Sequence, residues 1–185
     1  MQTRLLAITV LAMMIRFATF ILPPTNEKDD HIIPTLSSVL KETPKLDVRI
    51  RRRALAALGE VVFYISAQGQ EPGERDEDPW RLPVAALSLV LRCLRKDPDE
   101  TMKHYAAKLI ENCMAQGGLE FKKRLLMPEN AEKLADLATN GRGDAIQLTS
   151  ASALFHLLAH AATFTESRVS PTAAGILCLK KKQLF

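Results

Sequence analysis

The chain has 185 residues and an apolar fraction of 47%, enough for one ordinary domain with its own core. Its 25 Lys+Arg against 21 Asp+Glu are interspersed, so the net charge of +4 is a weak argument for a nucleic-acid or membrane partner. Only 8 glycines, long Ala/Leu-rich runs and little strand-type alternation exclude a β protein and make the class all-α. Cys93, Cys113 and Cys178 lie far apart inside apolar helical runs, which is neither a disulfide framework nor a zinc pattern. A reducing, cytoplasmic setting is the expectation.

At the N-terminus, Arg4 followed by LLAITVLAMMI has the charged and apolar regions of a signal peptide. Arg16 interrupts that run, no small-x-small cleavage site follows, and the apolar stretch is too short to span a bilayer. The segment therefore reads as a buried helix over residues 4–20, with no membrane partner. Pro23 and Pro24 stop it, a polar TNEKDD loop follows, and a shorter helix with Pro34 near its start occupies residues 32–42.

The most periodic stretch is LDVRIRRRALAALGEVVFYISAQ over residues 46–68. Ile50, Ala54, Ala57, Leu58, Val61 and Ile65 recur at three- and four-residue steps, and Leu55, Val62 and Phe63 widen the stripe, as an inner helix packed on several sides requires. Asp47 suits the positive end of its dipole. Gly59, costly in mid-helix, predicts close approach of another helix backbone. Residues 69–79, with Glu71, Glu74, Asp76, Glu77 and Asp78 against Arg75 alone, read as an acidic insertion. WRLPVAALSLVLRCLRK then forms a helix over residues 80–96, with Pro83 in its first turn.

The chain repeats itself. Asp47, Ile50, Arg51, Ala54, Leu55, Ala57 and Leu58 fall in register with Asp99, Met102, Lys103, Ala106, Ala107, Leu109 and Ile110 at an offset of 52 residues. Ile146, Gln147, Ser150, Ala151, Ala153 and Leu154 give a weaker third copy 44 residues on, with Gln147 replacing the basic residue. Two-helix units repeating every ~40–47 residues are the signature of HEAT and armadillo arrays, and the acidic insertion explains the longer first spacing. The expected architecture is an α-solenoid of about four helix pairs over residues 1–162, with a divergent, incomplete last repeat over 163–185. The apolar ends of the sequence read as those of a portion of a longer solenoid.

Candidate chemistry is sparse. His156 and His160 stand four apart on one helical face, but Leu157 occupies the place of a metalloprotease glutamate and no third ligand is evident, so no metal site is assigned. Arg142-Gly143-Asp144 reads as a turn leading into a helix start. No glycine-rich phosphate loop, His-Arg-Asp loop or Asp-Phe-Gly is present, and no nucleophile with its base can be assembled, so no catalytic residue, cofactor or small-molecule substrate is expected. The basic run is the most suggestive surface feature. Helical geometry sends Arg51, in the register place of the repeat's basic residue, into structural pairing; Arg49, Arg52 and Arg53 lie nearer the open face and are the candidate residues for binding an acidic protein partner. Lys122-Lys123-Arg124 and Lys180-Lys181-Lys182 are short and lack the interleaved aromatics of single-strand binders.

The stretches RRRALAALGEVVFYISAQ, WRLPVAALSLVLRCLRK and MKHYAAKLIENCMAQG, with MMIRFATFILPP before them, resemble the C-terminal HEAT/armadillo region of ULK-family kinases of the Runkel and Fused-like kind. The resemblance covers most of residues 4–162. It implies descent from a protein with an N-terminal kinase or pseudokinase domain and a long solenoid, associated with microtubules, cell division or cilia. The chain departs from that pattern in lacking the kinase domain. The reading is a non-catalytic, cytoplasmic protein-interaction scaffold with cytoskeletal partners. Its alternatives are a detached regulatory part of an active serine/threonine kinase and a basic solenoid binding nucleic acid, whose affinity would fall steeply with salt.

Overall fold

The computed structural model describes residues 2–18, 32–41, 47–68 and 84–167. Among them run eight helices and no strand: α1 Gln2–Phe17, α2 Ile32–Lys41, α3 Val48–Gln68, α4 Val84–Lys96, α5 Glu100–Gln116, α6 Leu119–Leu125, α7 Pro128–Asn140 and α8 Asp144–Ser167. The acidic segment 69–79, Trp80, Pro83, Cys178 and the terminal lysines lie outside the described residues, as does most of 163–185; α8 itself continues to Ser167.

Local chemistry fixes the helix starts. Asp47 receives the Arg49 N–H on its Oδ1 at 2.8 Å, and its carbonyl accepts from the Ile50 and Arg51 N–H groups at 2.9 and 3.2 Å. Asp99 repeats the arrangement, its Oδ1 taking the Thr101 N–H at 3.1 Å and its carbonyl the Lys103 N–H at 3.1 Å. The two aspartates matched in the sequence repeat thus begin their helices in the same way. Pro128 opens α7, where its missing N–H costs nothing. Gly143, at φ 119°, makes the turn into α8 that an L side chain would resist, which agrees with the turn expected at Arg142-Gly143-Asp144.

The helices pack in two rows. α1, α3, α5 and α8 lie side by side in that order; α2, α4 and α7 form a second row behind them, each against the helix that follows it in its pair. α3 is therefore covered by α1, α2 and α5, which accounts for its wide stripe: Ile50, Ala54, Leu55, Ala57, Leu58, Val61 and Val62 are all buried. Burial of such an aliphatic side chain contributes about 1.5–3 kcal/mol. The same positions of α5, Met102, Ala106, Ala107, Leu109 and Ile110, are buried too. At the far end of the pairs, Gly118 donates its N–H to the Ser66 carbonyl at 2.7 Å, and Asn130 donates from Nδ2 to the Leu125 carbonyl at 3.0 Å.

Two expectations are corrected. A Cβ built on Gly59 would meet only the Leu109 side chain, at 4.0 Å, so no backbone approaches closely there; α3 and α5 are spaced by leucine and not by glycine. Among the described residues, the helix at the N-terminus is covered on one side. Ile8 and Ile15 are buried, while Leu6, Val10, Met13, Met14 and Phe17 are exposed, because α3 packs on a single face of α1. No helix among the described residues is long and apolar enough to cross a membrane.

Candidate functional site: an arginine-rich edge

The arginine run sits in the first turns of α3, beside the short turn that joins α4 to α5. Arg51 reaches across that junction and pairs through its guanidinium with Oδ2 of Asp97, side chains 15% and 6% exposed. Asp97 also accepts the Asp99 N–H at 3.0 Å on its other oxygen, so one carboxylate both shapes the turn and binds the neighbouring helix pair. The structural pairing expected of Arg51 is present.

Arg52 departs from its expected place. It forms a fork on Asp99, Nε to Oδ2 at 2.7 Å and a terminal nitrogen to Oδ1 at 2.9 Å, and is only 37% exposed. The reason lies in the turn: Asp97 and Asp99, two residues apart, present two carboxylates to two successive arginines, which helical angle alone would have sent to different faces. Arg52 hydrogen bonding holds the Asp99 carboxyl below the usual carboxylate range against the opposing effect of burial, and Asp99 in turn raises Arg52 above its ordinary value.

Arg49 and Arg53 are exposed. Arg49, at 70%, folds back on Asp47, with Nε 3.0 Å and a terminal nitrogen 2.6 Å from Oδ2. Its carboxylate partner lies underneath, 14% exposed, and the guanidinium outside. Among the described residues no carboxylate pairs with Arg53. The edge continues along the ends of the pairs with Arg95 and Lys96 at the C-terminus of α4, Lys103 bonded to Glu100 at 2.8 Å, and Arg142, whose backbone N–H reaches the same glutamate. Lys103 hydrogen bonding is the main reason the Glu100 carboxyl titrates low. In the third copy Gln147 donates instead to the Gly141 carbonyl at 2.9 Å. Of the three register residues Arg51 alone reaches the following helix pair; Lys103 bonds the first residue of its own helix and Gln147 the turn ahead of its own. Asp97 and Asp99 lie deeper than the arginines they bind, whereas Glu100 is more exposed than Lys103. Asp97 escaped the sequence reading; its only signal was the Asp97-Pro98-Asp99 run ahead of a helix start.

The remaining candidates assemble nothing. His156 and His160 are half-buried on α8, burial lowers the His160 pKa, and no group of three His, Cys, Asp or Glu that could hold a metal occurs among the described residues. Burial pushes the Cys93 thiol up to about 11 and the Cys113 thiol up to about 12, the opposite of what a thiolate nucleophile requires.

The chain is similar to the serine/threonine-protein kinase ULK4 of Mus musculus, 28% identical over 125 residues, which is 68% of this chain and 9% of that protein. It is also similar to the serine/threonine-protein kinase RUNKEL of Arabidopsis thaliana, 32% identical over 119 residues, 59% of this chain and 8% of that protein. It thus spans less than a tenth of the length of these curated relatives, and the likeness supports a relationship to the ULK-family kinases. No family model and no solved structure matches the chain.

Proposed function

We propose that the chain is a non-catalytic protein-interaction scaffold, an α-solenoid portion of HEAT/armadillo kind from a ULK- and RUNKEL-related kinase protein, which binds an acidic protein partner along its arginine-rich edge. The observation that carries this reading is the two-row packing in which Asp47 and Asp99 begin equivalent inner helices and the Arg51–Asp97 pair ties the first of them to the helix pair that follows. Such an array offers an extended surface instead of a pocket. With Arg51 and Arg52 committed to Asp97 and Asp99, the outward charge rests on Arg49 and Arg53, and Arg52 contributes the outer side of its fork. Microtubules, whose tubulin tails are acidic, are the partner implied by the family resemblance.

Co-sedimentation of the chain with microtubules tests this. Arg49→Glu with Arg53→Glu is expected to weaken binding about tenfold or more with the helical signal unchanged, since both side chains are exposed and make no contact across the α3–α5 junction. Undiminished binding by the double variant would remove the edge from consideration, and binding of salt-sensitive DNA or RNA in its place would favour the nucleic-acid reading.

A further inference from the structure

The junction between α5 and α8 is built differently from the one between α3 and α5. Gln147 stands in the register place of Arg51 and bonds the turn ahead of its own helix, so that position brings no charge across. Imidazoles gather there instead: the three histidines among the described residues are His104 on α5 and His156 and His160 on α8. Glu111 of α5 stands among them, its side chain 17% exposed. It accepts from Lys108 Nζ at 2.6 Å and from the Ser152 hydroxyl of α8, and its charge acts on both His104 and His156. The His104 ring lies 5.9 Å from that of Tyr105, which also neighbours Arg52 of α3, and its Nδ1 is buried with no hydrogen-bond partner. His160 donates to the Met114 carbonyl of α5 and has His156 and, on α6, Lys122 beside it.

We infer that these histidines make the α5–α8 junction a pH-sensitive latch, closed at neutral pH and loosened in mild acid, through which the α7–α8 pair comes away from the rest of the stack. Protonation leaves His104 with an N–H on the buried Nδ1, which has no acceptor, and with a positive charge near the Lys108 ammonium. On α8, a protonated His160 faces Lys122 and a protonated His156. Glu111 offsets part of this charge, but its carboxylate already serves Lys108 and Ser152. Burial is the main cause that holds both imidazoles below their ordinary value; Lys108 adds to it and Glu111 opposes it at His104, while Lys122 and His156 add and the Met114 carbonyl opposes at His160. An imidazole kept neutral by folding contributes stability that is complete above the unfolded value of about 6.5 and is lost as pH falls through it toward the lower folded one. The Asp99 carboxyl titrates below the usual carboxylate range and keeps Arg52 bound throughout that window, so α3 and α5 stay joined while α8 loosens. This inference is independent of the partner assigned to the arginine edge.

Two measurements on the full chain test this. Amide hydrogen exchange, corrected for its intrinsic pH dependence, is expected to accelerate several-fold in α7 and α8 between about pH 7 and about pH 5, with little change in α1 and α3. His104→Gln with His160→Gln, which puts neutral polar side chains in both places, is expected to abolish that acceleration. NMR titration of the wild-type imidazoles is expected to place His104 and His160 below about 6.5, and Lys122→Gln to move His160 back toward that value. Either imidazole titrating at or above its ordinary value overturns the inference, and this holds even if the double variant fails to fold. Acceleration that is uniform from α1 to α8, or that the folded double variant retains, overturns it as well.

Discussion

Asp99 does three things, two with its carboxylate and one with its backbone. It starts α5, it anchors Arg52 in a fork, and through its own N–H it fixes Asp97, the partner of Arg51. Arg52 is the largest cause of its lowered pKa and Thr101 adds to it, so the folded state holds the carboxylate more firmly than the unfolded chain does. The contribution to stability is then fully present above the unfolded carboxylate pKa of about 3.9 and is lost as pH falls through the lower folded value. The pair is partly exposed and screened, so the gain is small, about 0–1 kcal/mol. Denaturant melts of the wild type and Arg52→Gln are expected to differ at neutral pH and to converge on acidification below about pH 4. A difference that persisted unchanged into acid would mean that Arg52 acts through packing and not through Asp99.

At the scale of the helix, α3 shows what was legible in the sequence and what was not. Its register was written in local spacing, and Ile50, Ala54, Ala57, Leu58, Val61 and Ile65 are all buried as that spacing required. The matching starts at Asp47 and Asp99 were also readable, because capping is a local interaction and repeats itself with the sequence. The role of Gly59 and the fork on Arg52 were not, since each is decided by a residue some fifty positions away, Leu109 in one case and Asp99 in the other. Two substitutions separate these levels. Leu58, fully buried, should cost ~2–5 kcal/mol as alanine, for it leaves a cavity that α3's neighbours cannot close. Gly59→Ala should stabilise by about 0.5–1 kcal/mol, because the added methyl meets Leu109 at ordinary contact distance and the helix gains propensity. Melting temperatures check both, and a loss at Gly59→Ala would mean that α3 and α5 sit closer than 4.0 Å contacts allow.

Across the whole molecule, the helices of each row touch their neighbours in order, so cohesion passes from pair to pair through few junctions. The junction between α3 and α5 carries a hydrophobic contact and two polar ones, the Arg52–Asp99 fork and the more deeply buried Arg51–Asp97 pair. The Arg51 guanidinium is the only cation bonded to Asp97 among the described residues, and Asp97 is buried. Replacing Arg51 by methionine keeps much of the apolar stem but leaves that carboxylate without its counter-charge, a loss of ~3–5 kcal/mol for a buried pair broken on one side. Adding Asp97→Asn removes the stranded charge, so the double variant should recover part of the loss, although Arg51 Nε, already without a hydrogen-bond partner, shows that the pair is not ideally satisfied. Because stacking is sequential, the damage should not spread evenly. Hydrogen exchange in Arg51→Met is expected to accelerate most in α3 and in α1, which leans on it, while α7 and α8, held by α5, keep most of their protection. Uniform acceleration from α1 to α8 would instead mean that the two rows unfold as one cooperative unit and that the Arg51–Asp97 junction is not a boundary within it.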